Sequence, residues 1–580
     1  MTASLAGVAP RLYPGVAQRA RSLVLAWWPI AAVLAVFWTT AFVVPTLTPV
    51  ATTDDWGYSR SVEILLDEHR LTVFPVVAAT AVFQVGWGAA FALAFGMSLG
   101  IMRVSTLVMV SMGAIALYAL LRELGVSRGR SALGTATYLF NPLSFVLAYT
   151  FMTDPFLTTL AVISTYGYVR GLRKDAVDAR FVLMGAVVAT CAFLTRQQGI
   201  LIPVAILTNL VVTRRLWFNR ESVKLVALVS AVPLAGMAAY YAWLTYLNDV
   251  PSVQESFTRE IRRAGIEGSW RLGRNLSFIA LMYLGFFALP LTLAASPGLP
   301  RVVRAFRWRA AAALAPWVAV LALGLFLYGQ LGKRWPYVPQ FVGSGGLGPP
   351  DVLGSRPRVF VGDFFTWATL VCAISAILVA VFVCAGANAT SSPERTAAGI
   401  VLAVMAWQAA GMFPPSFHYM RRGYSLDRYL LPLLPLAICL LLWAIREYRL
   451  FQPIGWALVA VMIAFGVAGT RDYLTYLGTV WEIADDAHAM GIPRTQIDAG
   501  AAWDGYHLYT YALDNNITRA QTRGGPWWMT FYGLASDSTY VVSSRPRDGY
   551  AVVWRRSYDS WLLGEETPMY LLRRIGAPRP

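Results

Sequence analysis

Long apolar runs alternate with short polar segments along most of residues 23–470. Most runs are close to the roughly 20 residues that an α-helix needs to cross a bilayer. Together they predict a polytopic α-helical membrane protein with about 13 transmembrane helices. The predicted spans lie near residues 23–45, 100–121, 131–150, 154–170, 181–198, 199–213, 225–247, 275–296, 310–329, 363–385, 397–415, 428–445 and 452–470.

The pattern changes after residue 470. Long apolar runs give way to short strand-like stretches at 538–543, 550–554 and 568–572, separated by polar residues. We therefore predict two parts, a transmembrane domain over 1–470 and a small α+β domain over 471–580.

The positive charges are distributed unevenly between the two sides of the membrane. When the spans are threaded alternately, the short loops near 122–130, 170–180, 214–224, 301–309 and 446–449 are basic and fall on one side. Basic loops stay in the cytoplasm. The N-terminus is therefore expected in the cytoplasm and the C-terminal domain outside. Only three of the 48 basic residues are lysine, an arginine bias that suggests a bacterial protein of the cytoplasmic (inner) membrane.

Composition narrows the class of protein. The chain is 57% apolar and only 14% charged, which excludes an ordinary soluble enzyme. The net charge of +17 would suggest nucleic-acid binding in a soluble chain. Here the arginines of the short loops account for it, and no nucleic-acid partner is expected. All four cysteines lie in apolar runs, so neither a disulfide framework nor a zinc site is indicated.

Two segments on the outer side are unusual. Residues 46–99 combine a polar helical stretch at 54–70 with an apolar stretch at 72–97 that Pro and Gly interrupt, which predicts interfacial helices. Residues 330–362 are rich in Gly and Pro and predict a flexible outer loop. Composition alone leaves open whether that loop is a functional lid or disordered.

Three acidic residues are candidates for chemistry on the outer side. Asp54 and Asp55 form an adjacent pair after the first span, and Asp154 stands before Pro155 at the start of another. Each fits a helix N-cap. Ionisable groups at the membrane are also functional candidates by default. The sequence leaves both interpretations open for each residue taken alone.

Several arginines also fall on this outer side, where positive charge is disfavoured. Arg196 lies between two spans, and Arg421, Arg422 and Arg428 precede or begin the twelfth span, next to Asp427. An anionic partner such as a phosphate would explain them, and an internal salt bridge is the alternative. We group these arginines with the acidic residues because all of them are predicted to lie on the same side of the membrane.

The segment TTDDWGYSRSVEILL resembles the first outer loop of the C-type glycosyltransferases of family 39. These include protein O-mannosyltransferases and bacterial transferases that add aminoarabinose or galacturonic acid to lipid A. An acidic pair, usually Asp-Glu, precedes an aromatic residue in that family, as Asp54, Asp55 and Tyr58 do here. The segments TDPFL, RYLLPLLP, GPWW and VVWRRSYDSWL are also similar to family patterns.

This resemblance implies the transfer of a sugar from a polyprenyl-phosphate donor to a lipid, glycan or protein acceptor. It makes Asp54 the general base, assisted by Asp55 and Asp154, with Tyr58 and Gln197 orienting the substrate. The donor phosphate would be bound by arginines, with Arg196, Arg421, Arg422 and Arg428 as the candidates. No cofactor is implied. A divalent metal is possible but not expected to be essential, since the acidic residues are few and form no D-x-D motif.

Two other functions fit parts of the pattern. A transporter or flippase of lipid-linked sugars would also have many spans, but such folds often carry internal repeats, and none is visible here. A polysaccharide polymerase or ligase would concentrate its polar residues in a late outer loop, such as 330–362. The early acidic pair disfavours that alternative.

Overall fold

A computed structural model describes residues 14–174, 176–217, 219–248, 250–304, 308–349, 352–386, 392–413, 426–515, 517 and 536–577. The α-helices are α1 Pro14–Val43, α2 Asp55–Asp67, α3 Val82–Phe95, α4 Leu99–Glu123, α5 Arg128–Leu139, α6 Pro142–Ala148, α7 Thr153–Leu172, α8 Ala179–Thr195, α9 Leu201–Val212, α10 Arg220–Trp243, α11 Ser252–Phe287, α12 Leu289–Ala295, α13 Leu299–Arg304, α14 Trp308–Gln330, α15 Phe364–Gly386, α16 Ser392–Gly411, α17 Leu433–Ala444, α18 Gln452–Ala489 and α19 Ala501–Asp514. The strands are β1 Val342–Gly343, β2 Gly346–Leu347, β3 Ile497–Asp498, β4 Tyr540–Ser543, β5 Tyr550–Ser560 and β6 Glu565–Arg574.

The helical membrane architecture is confirmed, but the predicted count of 13 spans is not. Within the described ranges, 7 helices are long and apolar enough to cross a membrane, or up to 9 if two sharply bent pairs each count as one span. Helices α8 and α9 are apolar but shorter than the others. Two of the predicted runs, 131–150 and 275–296, are each divided between two helices in the structure.

The break within the predicted span 131–150 has a local cause. The span divides into α5 and α6 because Asn141 accepts a hydrogen bond from the backbone N–H of Leu143 at 3.1 Å, and Pro142 follows at the first helical position. An Asn cap followed by Pro starts a new helix. Helix α6 then meets α7 at a bend of 109°. This bend places the start of α7 in the interior of the protein, where Asp154 is buried.

The C-terminal part of the chain contains the expected sheet, and one long helix leads into it. Helix α18 runs without a break from Gln452 to Ala489, so a boundary at residue 471 would cut a continuous helix. Beyond it, a four-stranded sheet has the order β3-β4-β6-β5. Strands β3 and β4 are parallel, and β4–β6 and β6–β5 are antiparallel. The helix thus continues from the membrane domain into the base of the sheet domain.

The 330–362 segment, which its composition predicts to be flexible, makes backbone hydrogen bonds to distant parts of the chain. The buried carboxylate of Asp427 accepts hydrogen bonds from the backbone N–H groups of Phe341 at 3.0 Å and Val342 at 2.9 Å. Further along, the backbone carbonyl of Leu353 accepts from the N–H of Ser544 at 3.1 Å. The segment therefore ties the membrane domain to the sheet domain, because side chains distant in sequence satisfy its backbone.

The first outer loop also packs against the sheet domain. The Trp56 ring on α2 lies 5.4 Å from the ring of Tyr509 on α19. A side chain at Gly505 would meet the Trp56 ring at 2.4 Å. Arg60 donates to the backbone carbonyl of Tyr506 at 3.3 Å. Helix α2, which begins beside Asp54, is therefore fixed by α19 from outside the membrane domain.

Asp427→Asn should loosen the 330–362 segment. The amide nitrogen of Asn cannot accept the backbone N–H groups that the second carboxylate oxygen binds, so about 1–3 kcal/mol of local stability should be lost. Limited proteolysis should then cut within 330–362 faster than in the wild type. Asp363→Asn, at an exposed position, is the matched control and should leave the cleavage rate unchanged. Equal rates for Asp427→Asn and the wild type would contradict this anchoring role.

Candidate functional site

Four charged side chains from distant parts of the chain meet in one cluster. Arg196 Nη1 lies 2.7 Å from Asp154 Oδ1, and Arg428 Nη2 lies 3.0 Å from Asp54 Oδ2. Arg428 Nε lies 3.9 Å from Asp154 Oδ2, which links the two pairs. We refer to Asp54, Asp154, Arg196 and Arg428 as the Asp–Arg cluster. The structure thus brings together four of the nine site residues that the sequence suggests.

Asp54 and Asp55 are adjacent but have different environments. Asp54 occupies the N-cap position of α2, yet its side chain makes no capping hydrogen bond there. The side chain of Asp55 is buried and accepts from the backbone N–H groups of Thr52 at 2.7 Å and Phe151 at 3.2 Å. Successive residues of a helix point about 100° apart. Asp54 therefore joins the cluster while Asp55 anchors the loop that leads to it.

Asp154 is the buried centre of the cluster. It lies in the first turn of α7, and only 2% of its side chain is exposed. One oxygen binds Arg196, whereas Oδ2 makes no hydrogen bond to any residue that the structure describes. A buried carboxylate needs positive partners. The two guanidinium groups supply them, so Asp154 holds both arginines in place rather than capping its helix.

Arg196 ends α8 in an extended conformation, with φ −153° and ψ 139°. The neighbouring Thr195 carbonyl accepts from the N–H of Ala81 at 3.0 Å, and Gln197 donates to the carbonyl of Ala78 at 2.9 Å. The amide of Gln197 thus fixes the Arg196 turn to the first outer loop. The contact of Gln197 with substrate that the sequence suggests stays a prediction.

Tyr58 lies one helical turn after Asp54 and is buried. Burial raises the pKa of its hydroxyl to about 12, because it disfavours the phenolate more than Arg196 and Arg428 stabilise it. The charges of Asp54 and Asp154 act in the same direction as burial. At neutral pH Tyr58 is therefore a neutral hydrogen-bond donor beside the cluster.

Two predicted phosphate ligands, Arg421 and Arg422, lie outside the described residues.

Tyr429 was not predicted from the sequence, yet its ring packs against both arginines of the cluster. The guanidinium carbons of Arg196 and Arg428 lie 4.6 Å and 5.6 Å from the ring centroid. Contacts of this kind are cation–π interactions. The tyrosine directly follows Arg428 in the RYLLPLLP motif, which is the signal that could have revealed it.

Arg103 is a buried charged residue that was not predicted from the sequence to hold this region. It lies fully buried on α4 and donates to the backbone carbonyls of Thr46 at 2.7 Å and Thr48 at 2.6 Å. One turn earlier, the Cβ of any side chain at Gly100 would come within 2.7 Å of the Leu47 backbone. This helix face thus holds the start of the loop that carries Asp54. A single arginine inside an apolar run was the available signal.

The cluster is balanced in charge but uneven in exposure. Two arginines face two aspartates, so the set has no net charge. The side chains of Arg428 and Arg196 are 5% and 12% exposed, whereas that of Asp54 is 34% exposed. Asp54 is therefore the most exposed member of the cluster. Among the described residues, no three His, Cys, Asp or Glu side chains are grouped as a metal site.

One family model matches part of the chain. Residues 84–243 match the family model described as dolichyl-phosphate-mannose-protein mannosyltransferase. The matched stretch includes Asp154 and Arg196 of the cluster. The resemblance to C-type glycosyltransferases drawn from the sequence is thus confirmed over this part of the chain. The search of curated proteins found no match.

Solved structures with distant similarity were also found. ArnT from Cupriavidus metallidurans, bound to undecaprenyl phosphate, is 14% identical with a TM-score of 0.42, over 95% of this chain and 99% of ArnT. AglB from Archaeoglobus fulgidus, an oligosaccharyltransferase, is 13% identical with a TM-score of 0.42, over 88% of this chain and 64% of AglB. The arabinosyltransferase EmbB from Mycobacterium smegmatis is 13% identical with a TM-score of 0.32, over 84% of this chain and 44% of EmbB.

The two adjacent aspartates should differ in their effect on stability. Asp55→Asn removes a buried acceptor of several hydrogen bonds and should cost about 2–4 kcal/mol. Asp54→Asn affects a partly exposed group and should cost at most about 1 kcal/mol. Unfolding temperatures of the purified variants in detergent would compare the loss of stability in the two variants. Equal loss in both variants would contradict the separate roles assigned to them.

Proposed function

We propose that this protein is an integral membrane glycosyltransferase of the bacterial cytoplasmic membrane. It moves a sugar from a polyprenyl-phosphate donor to an acceptor at the outer face. The observation that carries the proposal is the Asp–Arg cluster, in which one partly exposed carboxylate stands beside a buried and a largely enclosed arginine. The match of residues 84–243 to a family described by a lipid-phosphate sugar donor supports the same donor class.

The carboxylate of Asp54 acts as general base in this proposal. It takes the proton of the acceptor nucleophile while that atom bonds to the anomeric carbon of the sugar. The bond between the anomeric carbon and the phosphate oxygen breaks, and its electron pair leaves with the phosphate. A positioned base typically contributes 10²–10⁴-fold to the rate. A single displacement of this kind inverts the anomeric centre.

The arginines stabilise the leaving phosphate. Negative charge develops on the phosphate oxygens as the bond breaks, and guanidinium groups bind such oxygens with two N–H donors. Arg196 and Arg428 are prearranged by Asp154 and Tyr429, so little reorganisation is needed during the reaction. Arg421 and Arg422 are further candidates for the same phosphate. No protonation of the leaving group is required, since a phosphate leaves as a stable anion.

The remaining predicted residues act through the geometry of the site. Asp55 keeps the loop before α2 in place, and the neutral hydroxyl of Tyr58 can donate to a sugar or phosphate oxygen. Gln197 fixes the backbone beside Arg196. No step of this mechanism needs a cofactor or a metal ion. The acceptor is a lipid, glycan or protein, with membrane lipids surrounding the transmembrane helices.

Direct transfer assays test this proposal. Purified protein should move a radiolabelled sugar from a polyprenyl-phosphate donor to acceptors extracted from bacterial envelopes. Asp54→Asn should lower that rate by roughly 10²–10⁴-fold, because the amide cannot accept the proton. Asp67→Asn is the matched control, since Asp67 lies exposed at the other end of α2, and its rate should equal that of the wild type.

The same assay separates the alternatives. A flippase moves lipid-linked sugar across liposome membranes but leaves the sugar on its carrier. A polymerase lengthens a glycan that is already linked to lipid. Movement without transfer, or wild-type transfer by Asp54→Asn, would contradict the proposed reaction or its base.

A further inference from the structure

We propose that the donor phosphate activates the base by taking Arg428 away from Asp54. This inference rests on the proposed function and adds a coupling between donor binding and catalysis. In the structure Arg428 Nη2 donates a hydrogen bond to Oδ2 of Asp54 at 3.0 Å. One of the two oxygens of the Asp54 carboxylate is therefore engaged by an N–H donor of Arg428. A base in this state is restrained until Arg428 binds another anion.

The position of Arg428 makes such an exchange feasible. Its guanidinium is almost fully buried, and a buried cation without a negative partner is strongly unfavourable. Asp154 Oδ2 lies 3.9 Å from Arg428 Nε and remains in place when Asp54 is released. The arginine thus keeps one carboxylate while a phosphate replaces the other. Asp154 itself stays paired with Arg196 at 2.7 Å.

Exposure decides which carboxylate is released. Asp154 is enclosed, whereas Asp54 is reached by water and can be solvated after it loses its partner. An incoming phosphate also meets two guanidinium groups held near one tyrosine ring. Phosphate accepts two N–H bonds from one guanidinium, which suits the fork of Arg428. Donor binding therefore both anchors the leaving group and frees the base.

The exchange predicts competition between Asp54 and the phosphate for Arg428. Binding of undecaprenyl phosphate to the purified full-length protein, without any sugar or acceptor, measures this directly by calorimetry. Asp54→Asn should bind the lipid phosphate about tenfold more tightly than the wild type, because no ion pair must be broken. In an Arg428→Gln background, Asp54→Asn should change the affinity less than about twofold.

Controls separate this coupling from a general effect of charge. Asp67→Asn removes the same charge farther along α2 and should leave the affinity unchanged. Undecaprenol, which lacks the phosphate, should bind equally to the wild type and to Asp54→Asn. Size-exclusion elution and unfolding temperature show whether each variant is folded. If the Arg428→Gln variant is not folded, Arg428→Lys takes its place as the background. In that background the gain in affinity caused by Asp54→Asn should fall by roughly half, because an ammonium lacks the planar fork of a guanidinium.

The outcomes are distinct for the two proposals. Equal tightening by Asp54→Asn in both backgrounds would show that only the lost charge matters and would overturn the partner exchange. An unchanged affinity in Asp54→Asn would also overturn it, while leaving the proposed function intact. A wild-type protein that fails to bind undecaprenyl phosphate would contradict the proposed function itself.

Discussion

A guanidinium group that is removed from water requires negative partners, and Arg428 has two of them. It lies between Asp54 and Asp154, and the second of these also binds Arg196. This requirement draws together the start of α2, the first turn of α7, the end of α8 and the turn before α17. The elements around the site therefore have to keep four charged side chains in contact with one another. The loops that connect these elements have to allow that arrangement.

Buried carboxylates elsewhere hold these loops through their backbones. Asp55 binds the loop before α2, Asp427 binds the 330–362 segment, and Asp472 accepts from the N–H groups of Trp561 at 2.8 Å and Leu562 at 3.0 Å. A charged acceptor that binds several backbone N–H groups stabilises an irregular segment strongly. Each of these carboxylates thus stabilises an irregular segment that is distant from it in sequence or lies in a loop.

The sequence predicts the class of fold and much of the cluster, for identifiable reasons. Loop charges place Asp54, Asp154, Arg196 and Arg428 on one side of the membrane, and the structure brings them into contact. Hydropathy predicts one continuous span over 131–150 because it does not register the Asn-Pro break at 141–142. It also cannot show which way a side chain points.

Side-chain direction accounts for most of what the sequence leaves unresolved. Adjacent acids look alike in a motif, yet Asp55 faces backbone N–H groups while Asp54 faces an arginine. A Gly- and Pro-rich composition predicts flexibility, but it carries no information about a distant carboxylate that fixes the segment. Such long-range hydrogen bonds depend on the packed structure, so local patterns alone cannot reveal them.

The most direct test of this account is a structure of the full-length protein determined with undecaprenyl phosphate. We expect the phosphate within about 4 Å of the guanidinium groups of Arg196 and Arg428, the distance of a charge-assisted hydrogen bond or close ion pair. Asp54 should then have moved away from Arg428 towards solvent. A phosphate bound elsewhere, with the Asp54–Arg428 pair intact, would contradict the role assigned to the cluster.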